Sequence, residues 1–177
     1  MRAGTLAAAI AAALVAAAPA HAVNLATPDG QAIPFYQRWV DAAKVPTPDA
    51  TVVIRPTGCP FGEEPACTWP LGPIHFDHAG VAWSSDHPAE VRGTLLHELG
   101  HQYDYLMPER ARARFARIMR DARPWRTSPN SPHEQFAEAY AHCGLGGKAA
   151  RRYGLGGYDY SPSVRQRRAA CRLIRSL

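Results

Sequence analysis

Apolar and polar positions follow two rhythms along this chain: short and strand-like up to about residue 83, then helical to the C-terminus. Phe35–Ala43 carries the 3.6-residue spacing of a short helix, with Phe35, Trp39 and the Ala42-Ala43 pair facing inward and Pro46 and Pro48 ending it. Thr51–Arg55 is β-branched and short, which predicts a strand. Ile74–Asp77 and Val81–Trp83 are expected as two more strands, joined by a turn at His78-Ala79-Gly80. The lead-in 24–34 reads as irregular, and 56–73, rich in Pro and Gly, as a loop or wide hairpin.

Pro88, with Asp86 or His87 as cap, then opens a helix to Leu106 whose Leu95, Leu96, Leu99, Tyr103 and Leu106 form one apolar stripe. Pro108 breaks it. A second helix is expected over Glu109–Ala122, with Phe115, Ile118 and Met119 inside, and a third from Ser131-Pro132 to Cys143, stopped by Gly144. A Gly-rich loop, Gly154–Tyr160, precedes a last helix starting at Ser161-Pro162. Strands first and helices after define an α+β class, a small N-terminal sheet on a helical body.

The first residues change how the rest is read. Leu6–Ala18 is almost pure Ala, Leu, Val and Ile, too short for the roughly 20 residues a membrane span needs. With Met1-Arg2 before it and Ala20-His21-Ala22 after it, the run predicts a signal peptide over residues 1–22, cleaved near Ala22. Residues 23–177 then form a single domain, secreted or held in the periplasm or cell envelope, with no second stretch of membrane length. In an oxidising compartment Cys59, Cys67, Cys143 and Cys171 are expected to pair, favouring Cys59–Cys67 and Cys143–Cys171 among the three pairings open to them. A zinc knot is disfavoured, because Cys-x-x-Cys spacing is lacking.

Charge is uneven: residues 23–109 hold four Arg/Lys against eleven Asp/Glu, residues 110–177 fifteen against four. Nearly all these cations are arginines at helix-surface spacing without a nucleic-acid motif, so a solvated basic face is expected, with an anionic cell-envelope contact as its residual use and no nucleic acid as partner. Trp39, Trp69, Trp83 and Trp125 read as packing anchors, and His75, Asp77 and His78 as a polar hairpin end.

The candidate chemistry lies in His97-Glu98-Leu99-Gly100-His101. Two histidines four apart on a helix project from one face, a spacing that places two imidazole nitrogens on one cation such as Zn²⁺. Glu98 sits beside them, placed to take a proton from water. Gly100 leaves room for another element to approach. A catalytic zinc needs a third protein ligand; Asp104 is on about the right face but points further along the helix. The downstream run Glu134-Gln135-Phe136-Ala137-Glu138-Ala139-Tyr140-Ala141-His142 places Glu134, Glu138 and His142 on one polar stripe flanked by small alanines. Glu134 is the favoured third ligand and Glu138 an outer partner orienting a histidine, although the two are exchangeable. Ser131-x-x-Glu134 is also a capping box, the less favoured role for Glu134.

The stretch 95–104 together with 134–140 resembles the catalytic core of anthrax lethal-factor-like peptidases, zincins of the gluzincin type; the longer metzincin pattern is excluded by Asp104 and Met107. The likeness covers residues 94–143, under a third of the chain. It implies a zincin-like fold, Zn²⁺ on His97, His101 and Glu134, supporting roles for Glu138 and Asp104, and a peptide or protein substrate paired with a sheet-edge strand, for which the Ile74 or Val81 segments are the candidates. One feature departs from the family: residues 124–133 lack the tyrosine that would stabilise an oxyanion. Tyr158 or Tyr160, with His133 or His142 behind them, are the substitutes. The expectation is a secreted zinc metalloendopeptidase. A cell-wall amidase, or a non-catalytic envelope binding protein on the same scaffold, is the alternative.

Overall fold

A computed structural model describes residues 25–55, 59–60, 66–70, 72–77, 88–125, 130–153 and 157–177. The expected signal segment with its cleavage point, the expected strand Val81–Trp83 with its turn, and the expected cap at Asp86 or His87 lie outside the described residues.

The N-terminal part is a parallel βαβ unit. β1 (Leu25–Ala26) pairs with β2 (Ala50–Arg55), and α1 (Pro34–Asp41) makes the crossover. β3 (Ala66–Cys67) and β4 (Ile74–Asp77) complete the order β1-β2-β4-β3, with β4 parallel to β2 and β3 antiparallel to β4. β1 and β3 fall in segments expected to be irregular: at two residues each, they are too short to leave a periodic trace. β4 is an interior strand, so among the described residues the sheet edges belong to β1 and β3 rather than to the Ile74 segment.

In α1 Tyr36 and Val40 are buried; Trp39 and, just past the helix, Ala43 pack half-buried against the core as expected, whereas Phe35 does not face inward. Three aromatics within five positions leave the phase undetermined. Phe35, 41 % exposed, lies tilted against Trp39 at 4.9 Å instead of entering the core.

Among the described residues five helices follow: α2 (Pro88–Leu106), α3 (Glu109–Met119), α4 (Pro132–Leu145), α5 (Gly147–Tyr153) and, after a 3₁₀ turn (Gly157–Asp159), α6 (Val164–Arg175). α3 stops before Ala122 because Arg120 turns left-handed, φ 58°. α4 runs through Gly144, where a Cβ would stand 3.1–3.2 Å from Leu96 and Val45; the helix ends instead at Gly146, φ +64°. α5 was not expected from the sequence. α6 starts later than Ser161, at a capping box formed by Ser163 and Gln166. α2 and α4 pack side by side, and Leu95, Leu96, Leu99, Phe136 and Tyr140 join Val52, Ile74 and Phe76 in one core. The class is α+β, as the order of patterns implied.

Both expected disulfides form, Cys59–Cys67 and Cys143–Cys171. The second ties α4 to α6 across 28 residues of chain, a closure worth about 3–4 kcal/mol on the loop-entropy account. They agree with an oxidising environment. No helix of the described residues is long and apolar enough to cross a membrane.

Candidate metal site

One helical turn separates His97 from His101 on α2, and their Nε2 atoms converge to 3.0 Å. Glu134 reaches in from the first turn of α4, its Oε2 3.3 Å from His97 Nε2 and 3.2 Å from His101 Nε2. Such an approach requires the helices to touch at backbone distance. A Cβ on Gly100 would lie 2.9 Å from Ala137 Cα and 3.1 Å from Tyr140 Cβ, so only glycine permits it. Of the two roles open to Glu134, its N–H takes the cap, donating to Ser131 Oγ, while its carboxylate turns to the histidines.

The three groups can hold a metal ion. Tetrahedral bonds of about 2.0–2.1 Å put neighbouring donors about 3.3 Å apart. The observed triangle, with edges of 3.0, 3.3 and 3.2 Å, is close to such a face. Electrostatics agree with a cation here. Burial opposes ionisation of Glu134, but its bonds to His101 and His97 hold its carboxyl well below the usual range. Burial likewise disfavours a charged His97, yet Glu134 and Glu138 overcome it and raise its pKa to about 9. Burial pushes His101 down to about 4. The carboxylates thus draw one positive charge into the cluster.

The surroundings orient these candidate ligands. Glu138 Oε2 stands 3.2 Å from His97 Nδ1, leaving Nε2 for the centre, and accepts a hydrogen bond from Tyr153 Oη at 2.9 Å. Tyr153 fits there because residue 93 is glycine: a Cβ would be 2.1 Å from its ring. His101 Nδ1 has no partner among the described residues; its ring stacks on His133 at 4.3 Å. His133 Nδ1 in turn bonds Asp104, whose carboxylate also accepts from Arg112 Nε and Trp125 Nε1. Asp104, 1 % exposed, is therefore saturated and acts through His133.

Glu98 is 6 % exposed and lines the same cleft, and burial raises its pKa to about 7. The cleft holds about 450 Å³. Opposite the helices its wall is β3 with Thr68, Trp69 and Pro70. Gln102 Nε2 fastens that wall to α2, donating to Trp69 O at 3.1 Å, Gly72 O at 2.9 Å and Thr68 Oγ1. Trp69, 37 % exposed, is thus a cleft residue rather than a packing anchor. Trp125 does pack against the core, but its indole N–H serves Asp104; Trp83 lies outside the described residues.

Tyr158 lies at the mouth, its ring stacked on His97 at 5.0 Å. Its backbone is left-handed, φ 55°, a conformation costing a bulky residue of order 1–2 kcal/mol that aims the ring at the site. Tyr160, fully buried, does not line the cleft, and its hydroxyl has no partner among the described residues. His142 sits at the far end of α4. His75 is buried in β4, edge-on to Trp69 at 5.1 Å.

Sequence reasoning missed Gln102, His133 as the link between Asp104 and His101, and Tyr153. Only His133, beside the proposed ligand in sequence, left any signal. No protein-family model matches the chain, and neither a curated protein nor a solved structure matches it.

Proposed function

We propose that this chain is an exported, zincin-like zinc metallopeptidase that hydrolyses peptide bonds in an extended peptide or protein substrate. The observation that carries the reading is the near-equilateral donor triangle of His97, His101 and Glu134 with Glu98 beside it in an open cleft. Two imidazoles and one carboxylate are the donor set of a hydrolytic zinc centre, which keeps a fourth position open. Bound there, zinc supplies Lewis acidity toward a scissile carbonyl and lowers the pKa of water towards about 7.

The residues of the chain do the rest. Glu98 takes a proton from the attacking water and returns it to the departing amine, and its raised pKa of about 7 suits both directions of transfer. Tyr158 donates a hydrogen bond to the carbonyl oxygen as negative charge develops. Glu138 holds His97 in the tautomer that frees Nε2. β3 offers an edge, unpaired among the described residues, along which a substrate strand can lie.

Two disulfides and the predicted signal segment support export. Glu98→Gln tests the reading most sharply. The variant is expected to keep one zinc per chain by metal analysis while hydrolysis of a peptide library falls roughly a thousandfold, within the range of general-base losses. Undiminished hydrolysis, or a wild-type chain that binds no zinc, would overturn it.

A further inference from the structure

The end of α4 away from the metal site borders a second concavity, of about 420 Å³, shared with α5 and α6. Five arginines line it: Arg151 from α5, and Arg167, Arg168, Arg172 and Arg175 from α6. Arg168, Arg172 and Arg175 are spaced four and three residues apart, so they share one face of the helix. Arg175 is fixed in place, donating from Nε to Lys44 O at 2.8 Å and from Nη2 to Cys143 O at 3.3 Å. The guanidinium groups of the other four meet no carboxylate among the described residues. His142 lines the same space; it is 8 % exposed, and its Nδ1 is buried without a partner among the described residues. The Cys143–Cys171 disulfide forms part of the wall and locks α4 to α6, so the concavity does not depend on mobile chain.

A basic face that only solvates a helix lies against water and needs no buried imidazole. Here the like charges gather around a hollow, where they repel one another unless an anion joins them. Guanidinium forks match the paired oxygens of a phosphate-type group. With Arg175 committed to carbonyl oxygens, four forks remain, one more than the three oxygen pairs of a phosphate monoester. We propose that this pocket binds a ligand carrying two or more clustered phosphate-type groups. The site is independent of the metal centre: His142 lies two turns of α4 beyond Glu134, and no residue lines both the cleft and this pocket.

Inorganic pyrophosphate is the first probe, titrated calorimetrically into the full mature chain at physiological salt. Binding is expected, and Arg168→Gln/Arg172→Gln, two exposed positions, should weaken it by at least about tenfold by removing charge-assisted forks. The control Arg114→Gln/Arg117→Gln removes the same charge from exposed positions of α3 and should leave affinity within about twofold if the effect is local rather than general. Near-ultraviolet circular dichroism checks that both variants stay folded. A parallel arm uses phosphatidylcholine vesicles containing phosphatidic acid or phosphatidylglycerol. Retention on the phosphatidic acid vesicles, lost in the pocket variant, assigns the groups to a membrane surface; pyrophosphate binding without retention assigns them to a soluble ligand. Absence of both, or equal weakening by the two arginine pairs, overturns the proposal.

Discussion

The two walls of the cleft are built differently. On the α2–α4 side the polar groups are backed from behind: Glu138 bonds His97, Asp104 bonds His133, and the His133 ring stacks on His101, whose Nδ1 has no partner among the described residues. On the other side a two-residue strand and the segment after it are held to α2 by the amide of one glutamine, to the sheet by β4 and to residue 59 by the Cys59–Cys67 disulfide. On the proposed function the helical wall carries the chemistry, and the strand wall, tied to it by fewer polar bonds, meets the substrate. Variants of the first should therefore change metal affinity or kcat, and variants of the second KM.

Glu134→Gln attacks the comparison hardest. Loss of a ligand carboxylate should reduce zinc affinity by more than the ~10–100-fold typical of an outer partner, read by chelator competition. If Glu138→Gln proves the more damaging of the two, their roles must be exchanged. Tyr158→Phe comes next: kcat should fall about a hundredfold with zinc content unchanged, the scale seen for a lost oxyanion donor. Asp104→Asn leaves every ligand in place but slackens His133, so zinc affinity or kcat should drop about tenfold. Gln102→Ala has the smallest expected effect, a rise in KM of a few-fold with kcat nearly intact, because it removes bonds of roughly 1 kcal/mol each from the substrate-facing wall. A kcat loss in Gln102→Ala equal to that of Asp104→Asn would erase the distinction between the walls.

The same division governs what was legible in the sequence. Residues His97, His101, Glu134 and Glu138 recur at helical spacing, so their sharing of faces follows from 3.6 residues per turn. The closeness of the two helices was legible in Gly100 and Ala137, residues too small to hold them apart. The phase of α1 was not, since Phe35, Tyr36 and Trp39 are all apolar and only the sheet opposite decides which enter. The edge strand was hidden as well: Ala66–Cys67 gains its conformation from pairing with β4, a tertiary contact with no local signature. Nor does any spacing rule link Gln102 to Trp69, or Tyr153 to Glu138, because these contacts join separate elements.

Cys67 belongs both to the edge strand and to a disulfide. In a reducing cytoplasm that tether stays open, and a newly made chain would possess the histidines while lacking a firm surface to present anything to them. On the proposed reading of an exported hydrolase, oxidation outside the cytoplasm would then complete the groove and shield the producing cell until that point.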